Sequence, residues 1–267
     1  MIPLRDNNPT SRFPIVTILL IAINVFVYFT NTPQTQRPYE MVPRAVVTGH
    51  SLSGFEIAGS DGSLHYLPAS PAVVASTPYD PDTTIPVLPS PVPPWLTIFT
   101  SMFLHANLLH IGGNMLFLWI FGNNVEDAFG RLRFLIFYLA CGLAAALLQI
   151  AVSPMSIVPN LGASGAIAGV LGAYLVMYPG ARVLTLITAI FIWFLRDISA
   201  FWVIGIWIAL QVIEGVTGLG GQATGGVAYF AHIGGFFSGL IATLLMGGRA
   251  LGQRQIRAAM QRRPPRY

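Results

Sequence analysis

Long apolar segments alternate with short polar segments along most of this chain of 267 residues. An apolar segment predicts a membrane-spanning helix when it approaches about 20 residues. Six segments reach or come close to that length, and only 9% of the residues are charged, against about 25% in soluble domains. The sequence therefore predicts an all-α membrane protein with six transmembrane helices. The predicted spans are residues 13–30, 108–123, 132–152, 164–178, 200–216 and 228–246.

Two further segments do not fit this pattern of spans. Residues 31–94 contain twelve prolines, and because proline cannot donate a backbone hydrogen bond, most of this long insert should be irregular. Short pieces such as 44–47 and 55–57 could form strands. Residues 183–195 are apolar but too short for a span, which predicts an interfacial helix or a loop.

The first apolar segment, residues 13–30, has two interpretations. It could be a cleaved signal peptide rather than a transmembrane helix. Against cleavage, Asn24 and several aromatic residues interrupt the apolar run, and no Ala-x-Ala site follows it. We therefore favour an uncleaved first transmembrane helix.

The arginines indicate which side of the membrane each segment faces. Six spans place both termini on one side, which then holds twelve of the fourteen arginines, whereas Arg37 and Arg44 lie opposite. Because basic residues are enriched in cytoplasmic segments, residues 1–12 and the basic tail, 248–267, should be cytoplasmic and the 31–94 insert extracytoplasmic. Nucleic acid is not an expected partner, since the arginines are spread over the ends of the apolar segments.

Two polar residues open apolar spans, Ser164 the fourth and His232 the sixth. Ionisable groups inside membrane helices are costly, so they suggest a function. The fourth span has fifteen residues and is about 22 Å long, whereas the hydrocarbon core is about 30 Å thick. The polar loop before Ser164 must therefore dip into the membrane, where it needs surrounding protein or a water-filled cavity.

Small residues predict that the fourth and sixth spans pack closely. Such packing would bring Ser164 and His232 together. The alternative is that the glycines only pack the helices and that His232 binds a backbone carbonyl. The two predicted faces consist of Ser164, Ala168 and Gly172 on one helix and of His232, Gly235 and Gly239 on the other.

Together these residue types could carry out acyl transfer. His232 could act as the base that a serine nucleophile needs and then protonate the leaving amine. Glu214 is the nearest acidic residue, and a dyad is simpler than a triad. The oxyanion needs donors placed in advance, which the start of the fourth helix and the side chains of His110 and Asn114 could supply. Alternatively, His110 and Asn114 only link helices.

Three short motifs stand in order on the second, fourth and sixth spans. Together they resemble the rhomboid family of intramembrane serine proteases, with a catalytic core over residues 95–247. The similarity is specific because all three motifs fall on the matching helices. The motifs are His110-x-x-x-Asn114, Gly162-Ala163-Ser164-Gly165, and Ala231-His232 followed by Gly235 and Gly239.

The resemblance implies a six-helix bundle with a Ser–His dyad. It makes Ser164 the nucleophile and His232 the base, and it makes the fifth span and the 218–226 loop a substrate gate and cap. It implies that the substrates are transmembrane segments of other proteins, cut near the outer face of the membrane. The oxyanion hole would consist of His110, Asn114 and the backbone N–H of Ser164, with Gly162 or Ala163 lining it.

Some residues depart from the family's pattern or have ordinary interpretations. Some members carry a tyrosine one turn after the serine that stacks on the histidine, but Ala168 stands there, so another group must orient His232. The outer loop at Trp95 lacks the arginine that often follows. His105 should be a cap or a loop hydrogen-bonding residue, and Cys141 a buried apolar filler. Four tryptophans should be packing or interface anchors, namely Trp119, Trp193, Trp202 and Trp207.

Two other functions remain open from the sequence. A non-catalytic rhomboid-like protein would bind and escort transmembrane clients, although such relatives usually lack the serine or the histidine. A transporter would need polar residues across several spans and inverted repeats, which the chain does not display. No His, Cys, Asp or Glu cluster has the spacing of metal ligands, so neither a metal nor another cofactor is expected. The expected location is the cell membrane, with lipid and transmembrane substrates as partners.

Overall fold

A computed structural model of the chain describes residues 1–49, 54–58, 64–68, 84–87, 90–156, 158–189, 192–218 and 228–262. The protein is mostly helical. Its main helices are α1 (Ile15–Thr30), α2 (Leu108–Phe117), α3 (Asn123–Phe129), α4 (Arg131–Val152), α5 (Ser164–Met177), α6 (Ala200–Gly218), α7 (Tyr229–Leu245) and α8 (Gly248–Arg262). A π-helical turn, Leu118–Gly122, joins α2 to α3. Shorter helical segments lie at Pro33–Gln36, Arg37–Tyr39, Pro43–Thr48, Pro94–Leu96, Thr97–Thr100 and Ser101–Phe103.

Each of the six predicted apolar segments coincides with a helix, α1, α2, α4, α5, α6 or α7. Within the described ranges, α4 and α6 are each long and apolar enough to cross a membrane. Two bent pairs would also qualify if each is one span, namely Pro94–Phe103 with Leu108–Phe129 and Tyr229–Leu245 with Gly248–Gln261. Because α1 and α5 are apolar but shorter, the count of six crossings stays a prediction.

Helix α5 lies at the centre of the bundle. Twelve of its fourteen residues are buried, and its principal neighbours are α4 and α7. Small residues on both helices let α7 approach α5 backbone to backbone. A side chain on Gly235 of α7 would collide with the carbonyl group of Gly165, and one on Gly239 with that of Gly169. Close approach at small residues is what holds membrane helices together, since lipid tails are as apolar as leucine.

Two buried carboxylates of α3 anchor other parts of the chain to the bundle. Glu126 accepts hydrogen bonds from two backbone N–H groups in the first turn of α1 and from the Thr17 hydroxyl, at 2.7–3.0 Å. It therefore caps α1, whose first N–H groups have no partner within the helix. Asp127 accepts hydrogen bonds from Ser11 and from Gln255 of α8. The polar segment before α1 and the helix after α7 are thus both tied to α3.

Two antiparallel three-stranded sheets correct the prediction of an all-α protein. One of them forms from the chain's N-terminal segment and the segment between α5 and α6, and the other forms within the 31–94 insert. The first sheet has the order β1 (Ile2–Asp6), β5 (Arg182–Ala189), β6 (Ile192–Ser199), and the second has the order β3 (Leu64–Pro68), β2 (Gly54–Ala58), β4 (Thr84–Val87).

The prediction of an interfacial helix or a loop at residues 183–195 is wrong, because residues 183–189 lie in β5 and residues 192–195 lie in its antiparallel partner β6. β-Branched and aromatic residues favour strands, and they are frequent here, as at Val183, Thr185 and Trp193. Strand β1 pairs with the other edge of β5, so β5 is hydrogen-bonded on both sides. Backbone pairing with neighbouring strands therefore determines the structure of this segment, which its length and apolarity did not predict.

The 31–94 insert is less irregular than predicted in its described parts. Residues 55–57 lie in β2, as expected, but residues 44–47 lie in the short helix Pro43–Thr48 instead of a strand. Proline is well placed in the first turn of that helix because the missing N–H has no helical partner there. Most of the other residues between 50 and 89, including His50, lie outside the described residues.

The terminal segments contribute regular structure that the predicted organisation did not include. Strand β1 lies in the 1–12 segment, and α8 occupies most of the 248–267 tail. At the end of β1, Asp6 accepts hydrogen bonds from the Tyr174 hydroxyl of α5 at 2.7 Å and from the Asn124 amide of α3 at 2.8 Å. Burial raises the pKa of Asp6 from its ordinary value of 3.8 to about 6.

Asp6→Asn should reduce the pH dependence of stability. A carboxyl group whose pKa is raised by folding stabilises the protein while protonated, so its contribution is present below pH 3.8 and is lost as pH rises through about 6. Asp6 should therefore lower the free energy of unfolding of the wild type in detergent as pH rises over this range, by at most about 1.4 kcal/mol per pH unit, which can be followed through the melting temperature. The fall should be smaller in Asp6→Asn, whose amide keeps an acceptor but cannot ionise.

The control for this prediction is Asp197→Asn, which changes an exposed carboxylate of β6. This variant should retain the wild-type slope of melting temperature against pH. Equal slopes in all three proteins would contradict the assignment of the raised pKa to Asp6.

Candidate active site

Ser164 begins α5, and backbone hydrogen bonds fix the loop before it. Asn160 exchanges backbone hydrogen bonds with Met41, and the N–H of Gly162 donates to the carbonyl oxygen of Ser101 at 2.8 Å. Gly162 has φ +121°, a conformation that glycine adopts without steric cost. The loop therefore turns sharply into α5, and the Ser164 side chain lies at the turn.

His232 lies in the first turn of α7, and its Nε2 is 2.7 Å from Ser164 Oγ. The glycine contacts between α5 and α7 bring the two side chains to this distance. The predicted α7 face does pack on α5. On α5 the predicted face also meets α7, because a side chain on Gly172 would collide with the carbonyl oxygen of Phe236, and Ala168 lies against Gly235.

The other ring nitrogen of His232 has a partner on α6. Its Nδ1 lies 2.5 Å from Oε1 of Gln211, and the ring of Trp207, one turn earlier on α6, lies 5.6 Å from the imidazole. Glu214 is exposed and has no hydrogen bond to His232 among the described residues. Gln211 was not predicted from the sequence, although an amide inside an apolar span was a usable signal, and Trp207 was predicted to be a packing or interface anchor.

His110 and Asn114 lie on α2, and their side chains line the same cavity as Ser164 and His232. The Nδ1 of His110 accepts a hydrogen bond from the backbone N–H of Ala106 at 3.5 Å, so in the neutral ring Nε2 carries the proton. Asn114 is buried, and its Nδ2 has no hydrogen-bond partner in the described part of the chain. Each side chain thus offers an N–H donor, and that of Asn114 is unsatisfied.

Gly162 makes room for these two donors. A Cβ atom on Gly162 would lie 2.8 Å from His110 Nε2 and 3.7 Å from Asn114 Nδ2. Because its own N–H is bound to the Ser101 carbonyl group, Gly162 can line an oxyanion hole but does not offer its N–H to one. A backbone donor must instead come from the first turn of α5, where helical N–H groups have no helical partner.

A cavity of about 560 Å³ is lined by most of these side chains, although Gln211 lies behind His232 and does not line it. Its wall includes Ser164, His232, His110, Asn114 and Trp207, together with apolar residues of α2 and α5. A few converging polar groups in a mostly apolar hollow are typical of a ligand site. Over the described ranges, no group of three or more His, Cys, Asp or Glu residues could hold a metal ion.

Two other predicted residues have clear outcomes. His105 is 1% exposed, and neither ring nitrogen has a hydrogen-bond partner among the described residues. The prediction of a helix cap is wrong, because Asn107 caps α2; the His105 ring instead interacts with the Phe103 backbone of the preceding segment and packs edge-on against His110. Cys141 is buried and packs against Gly169, as expected for an apolar filler.

Comparison with known proteins identifies the family. The family model of the rhomboid domain matches residues 93–249, which is more than half of the chain. The chain belongs to the rhomboid family. The family predicted from the three motifs is therefore confirmed, and with it a membrane-embedded protein.

Several rhomboid relatives match this chain over much of its length. The rhomboid protease GluP of Bacillus subtilis (strain 168) is 32% identical over 62% of this chain and 29% of its own length. The mitochondrial Rhomboid protein 1 of Saccharomyces cerevisiae is 30% identical over 61% of this chain and 45% of its own. The chloroplastic Rhomboid-like protein 11 of Arabidopsis thaliana is 30% identical over 58% and 53%. The chain thus spans between about a third and a half of the length of these rhomboids.

Gly162→Ala should slow the covalent labelling of Ser164 by a serine-directed phosphonate at least about tenfold. The new methyl group would displace His110 and strain the loop, so one donor to the phosphoryl oxygen would be lost. The labelling rate can be measured by mass spectrometry of the intact rhomboid in detergent.

Gly130→Ala is the matched control for this variant. Gly130 also has a positive φ, +81°, but a Cβ atom there meets nothing within 4 Å. The control should lose stability to backbone strain and keep the wild-type labelling rate. If both variants are labelled at the wild-type rate, the role of Gly162 in holding the donors is wrong.

Proposed function

We propose that this rhomboid is an intramembrane serine endopeptidase that hydrolyses peptide bonds in or near the transmembrane segments of other proteins. The single observation that most supports the proposal is the 2.7 Å contact between Ser164 Oγ and His232 Nε2. A serine hydroxyl becomes an effective nucleophile when a base lies within hydrogen-bond reach. One relative named as a protease, GluP, supports the same class of reaction.

The first chemical step joins the serine to the substrate. Ser164 Oγ attacks the carbonyl carbon of the scissile peptide bond, and its proton passes to Nε2 of His232. The carbonyl π-electrons move to the oxygen, which gives a tetrahedral intermediate that carries a negative charge. His232 becomes an imidazolium with both ring nitrogens protonated.

Donors around the cavity stabilise the charge on that oxygen. His110 contributes Nε2–H, Asn114 contributes its Nδ2 amide, and the first turn of α5 contributes the backbone N–H of Ser164. The unsatisfied, buried Nδ2 of Asn114 supports this role, because leaving a buried donor without a partner costs about 1–3 kcal/mol. A forming oxyanion removes that penalty only as the transition state is reached, which is how binding energy lowers a barrier.

The second half of the reaction releases the two products. The C–N bond breaks, the leaving amine takes the proton from His232 Nε2, and an ester remains on Ser164. A water molecule then attacks the ester carbonyl while His232 accepts its proton. Collapse of the second tetrahedral intermediate frees the carboxylic acid and returns the proton to the serine.

The location of the cavity indicates which substrates can reach it. The cavity lies at the ends of α5 and α7 where those helices begin, and most of its wall is apolar. An extended piece of a transmembrane segment suits such a wall, and the polar groups suit its backbone. The 218–226 loop, assigned as a cap from the family resemblance, lies mostly outside the described residues.

We place this multi-pass protein in the cell membrane, with both of its termini in the cytoplasm. The support is the distribution of the arginines, twelve on the side of the termini and two opposite. The candidate site then lies towards the extracytoplasmic face, because α5 and α7 both begin there.

A non-catalytic function, in which this rhomboid escorts transmembrane clients, is the competing proposal. It explains the fold but gives no reason for a serine hydroxyl within hydrogen-bond distance of an imidazole. It also gives no reason for an unsatisfied Asn114 amide beside them. Binding of clients without cleavage by the wild type would favour the escort function.

Ser164→Ala and His232→Ala should each abolish cleavage of a model transmembrane substrate. The first removes the nucleophile and the second removes the base, and the two changes together should be no worse than either alone, because the residues act as a unit. Cleavage can be followed by gel electrophoresis after reconstitution in liposomes. Ser238→Ala is the control, since its hydroxyl bonds Gly235 within α7, and it should cleave normally. Cleavage by Ser164→Ala at the wild-type rate would refute the proposal.

Asn114→Ala should lower kcat by about 10–1000-fold and leave KM nearly unchanged. The amide would act mainly in the transition state, so its loss should raise the barrier without weakening substrate binding. Asn31→Ala, which removes an amide that bonds Val27 at the end of α1, is the control. An Asn114→Ala variant with the kcat of the wild type would show that Asn114 only links helices.

A further inference from the structure

We infer that Gln211 is a positioning residue whose amide oxygen holds the Nδ1 proton of His232 and thereby keeps Nε2 free to take the proton of Ser164. The inference rests on the proposed function, because it concerns how the same base is oriented. The family resemblance does not identify a residue that orients His232, since Ala168 stands where some members have a stacking tyrosine.

The imidazole ring of His232 makes two polar contacts, one at each nitrogen. A neutral imidazole has one N–H donor and one acceptor nitrogen. The Gln211 atom that faces Nδ1, at 2.5 Å, is the amide oxygen Oε1, which can only accept. The proton must therefore lie on Nδ1, and Nε2 presents its lone pair to Ser164 Oγ, 2.7 Å away. This is the tautomer that a general base needs.

Two side chains on one face of helix α6 contact the imidazole ring of His232. Trp207 and Gln211 are four residues apart and so lie on one face of α6, and both contact the imidazole of His232. Only four of the nineteen residues of α6 are buried, namely Ala200, Val203, Ile204 and Gly215. Trp207 and Gln211 add to these buried residues a contact that joins α6 to His232.

No charged group competes with Gln211 for this role in the described part of the site. The other titratable side chain in the cavity wall is His110 of α2. Glu214, one turn after Gln211, is exposed. On α4, Gln149 bonds the backbone N–H of Ala231 and not the imidazole. An uncharged amide is thus the group that fixes Nδ1, in the place where a triad has a carboxylate.

A structural role is the alternative, in which Gln211 only joins α6 to α7. Such a role would be disturbed by any change at position 211. A positioning role depends on an acceptor at Nδ1, and a carboxylate can replace the amide in that role. The two accounts therefore differ in what Gln211→Glu does.

The kinetic test compares Gln211→Leu and Gln211→Glu with the wild type on a transmembrane substrate, as kcat, KM and pH–rate profiles. Gln211→Leu should lower kcat at least about tenfold, a part of the 10²–10⁴-fold that base catalysis contributes, with little change in KM. Gln211→Glu should keep kcat within a few fold of the wild type. Its acidic limb should move to higher pH, because a carboxylate beside Nδ1 stabilises the imidazolium.

Glu214→Leu is the matched control, because it removes a polar side chain from the same helix without touching the ring. It should keep the wild-type kcat and pH profile. Wild-type kcat in Gln211→Leu would overturn the inference. So would equal losses in Gln211→Leu and Gln211→Glu with unmoved pH profiles, since that result indicates a purely structural contact.

A second measurement does not depend on cleavage. Nitrogen NMR of the protein labelled with ¹⁵N-histidine should report His232 with Nδ1 protonated in the wild type and with mixed tautomers in Gln211→Leu, the signals being assigned from His232→Ala. The same tautomer in both proteins would overturn the inference. Failure of the wild type to cleave would instead overturn the proposed function, whereas cleavage by Gln211→Leu at the wild-type rate would overturn only the role of Gln211.

Discussion

The backbone contact between α5 and α7 is the interaction on which the rest of the structure depends. Gly235 and Gly239 of α7 rest against the carbonyl groups of Gly165 and Gly169, and a Cβ atom at either α7 glycine would force the helices apart. Because Ser164 and His232 lie in the first turns of these helices, their separation is set by this contact. In a lipid environment such close packing takes the place of a hydrophobic driving force.

Polar groups at the two ends of α5 serve different purposes. At the end opposite the serine, the Tyr174 hydroxyl binds Asp6, and the two carboxylates of α3 cap α1 and bind α8. These polar groups are satisfied and hold the chain's terminal segments on the bundle. At the serine end, Nδ2 of Asn114 is buried and has no hydrogen-bond partner within the described segments. An unsatisfied buried donor is costly in a fold, and under the proposed function this cost is relieved when Asn114 donates to the oxyanion.

Apolarity predicted the helices because it is a local signal. Motif spacing predicted the residues that gather in the cavity because it places the residues of a motif on one helix face. Gln211 could not be identified in this way, since its partner is twenty-one residues away on another helix and amides have no fixed spacing from a base. The hairpin at residues 182–199 was missed for a related reason. Its stability depends on pairing with β1, which lies about 180 residues earlier in the chain. Its short apolar sequence alone therefore did not indicate a strand.

The most direct test of the account is an experimental structure of this rhomboid after reaction with a serine-directed phosphonate. The account predicts a bond from phosphorus to Ser164 Oγ, with the phosphoryl oxygen within about 3.2 Å of the Asn114 amide nitrogen and the His232 ring still held by Gln211. An adduct on another residue would contradict it. So would a phosphoryl oxygen that points away from both Asn114 and His110.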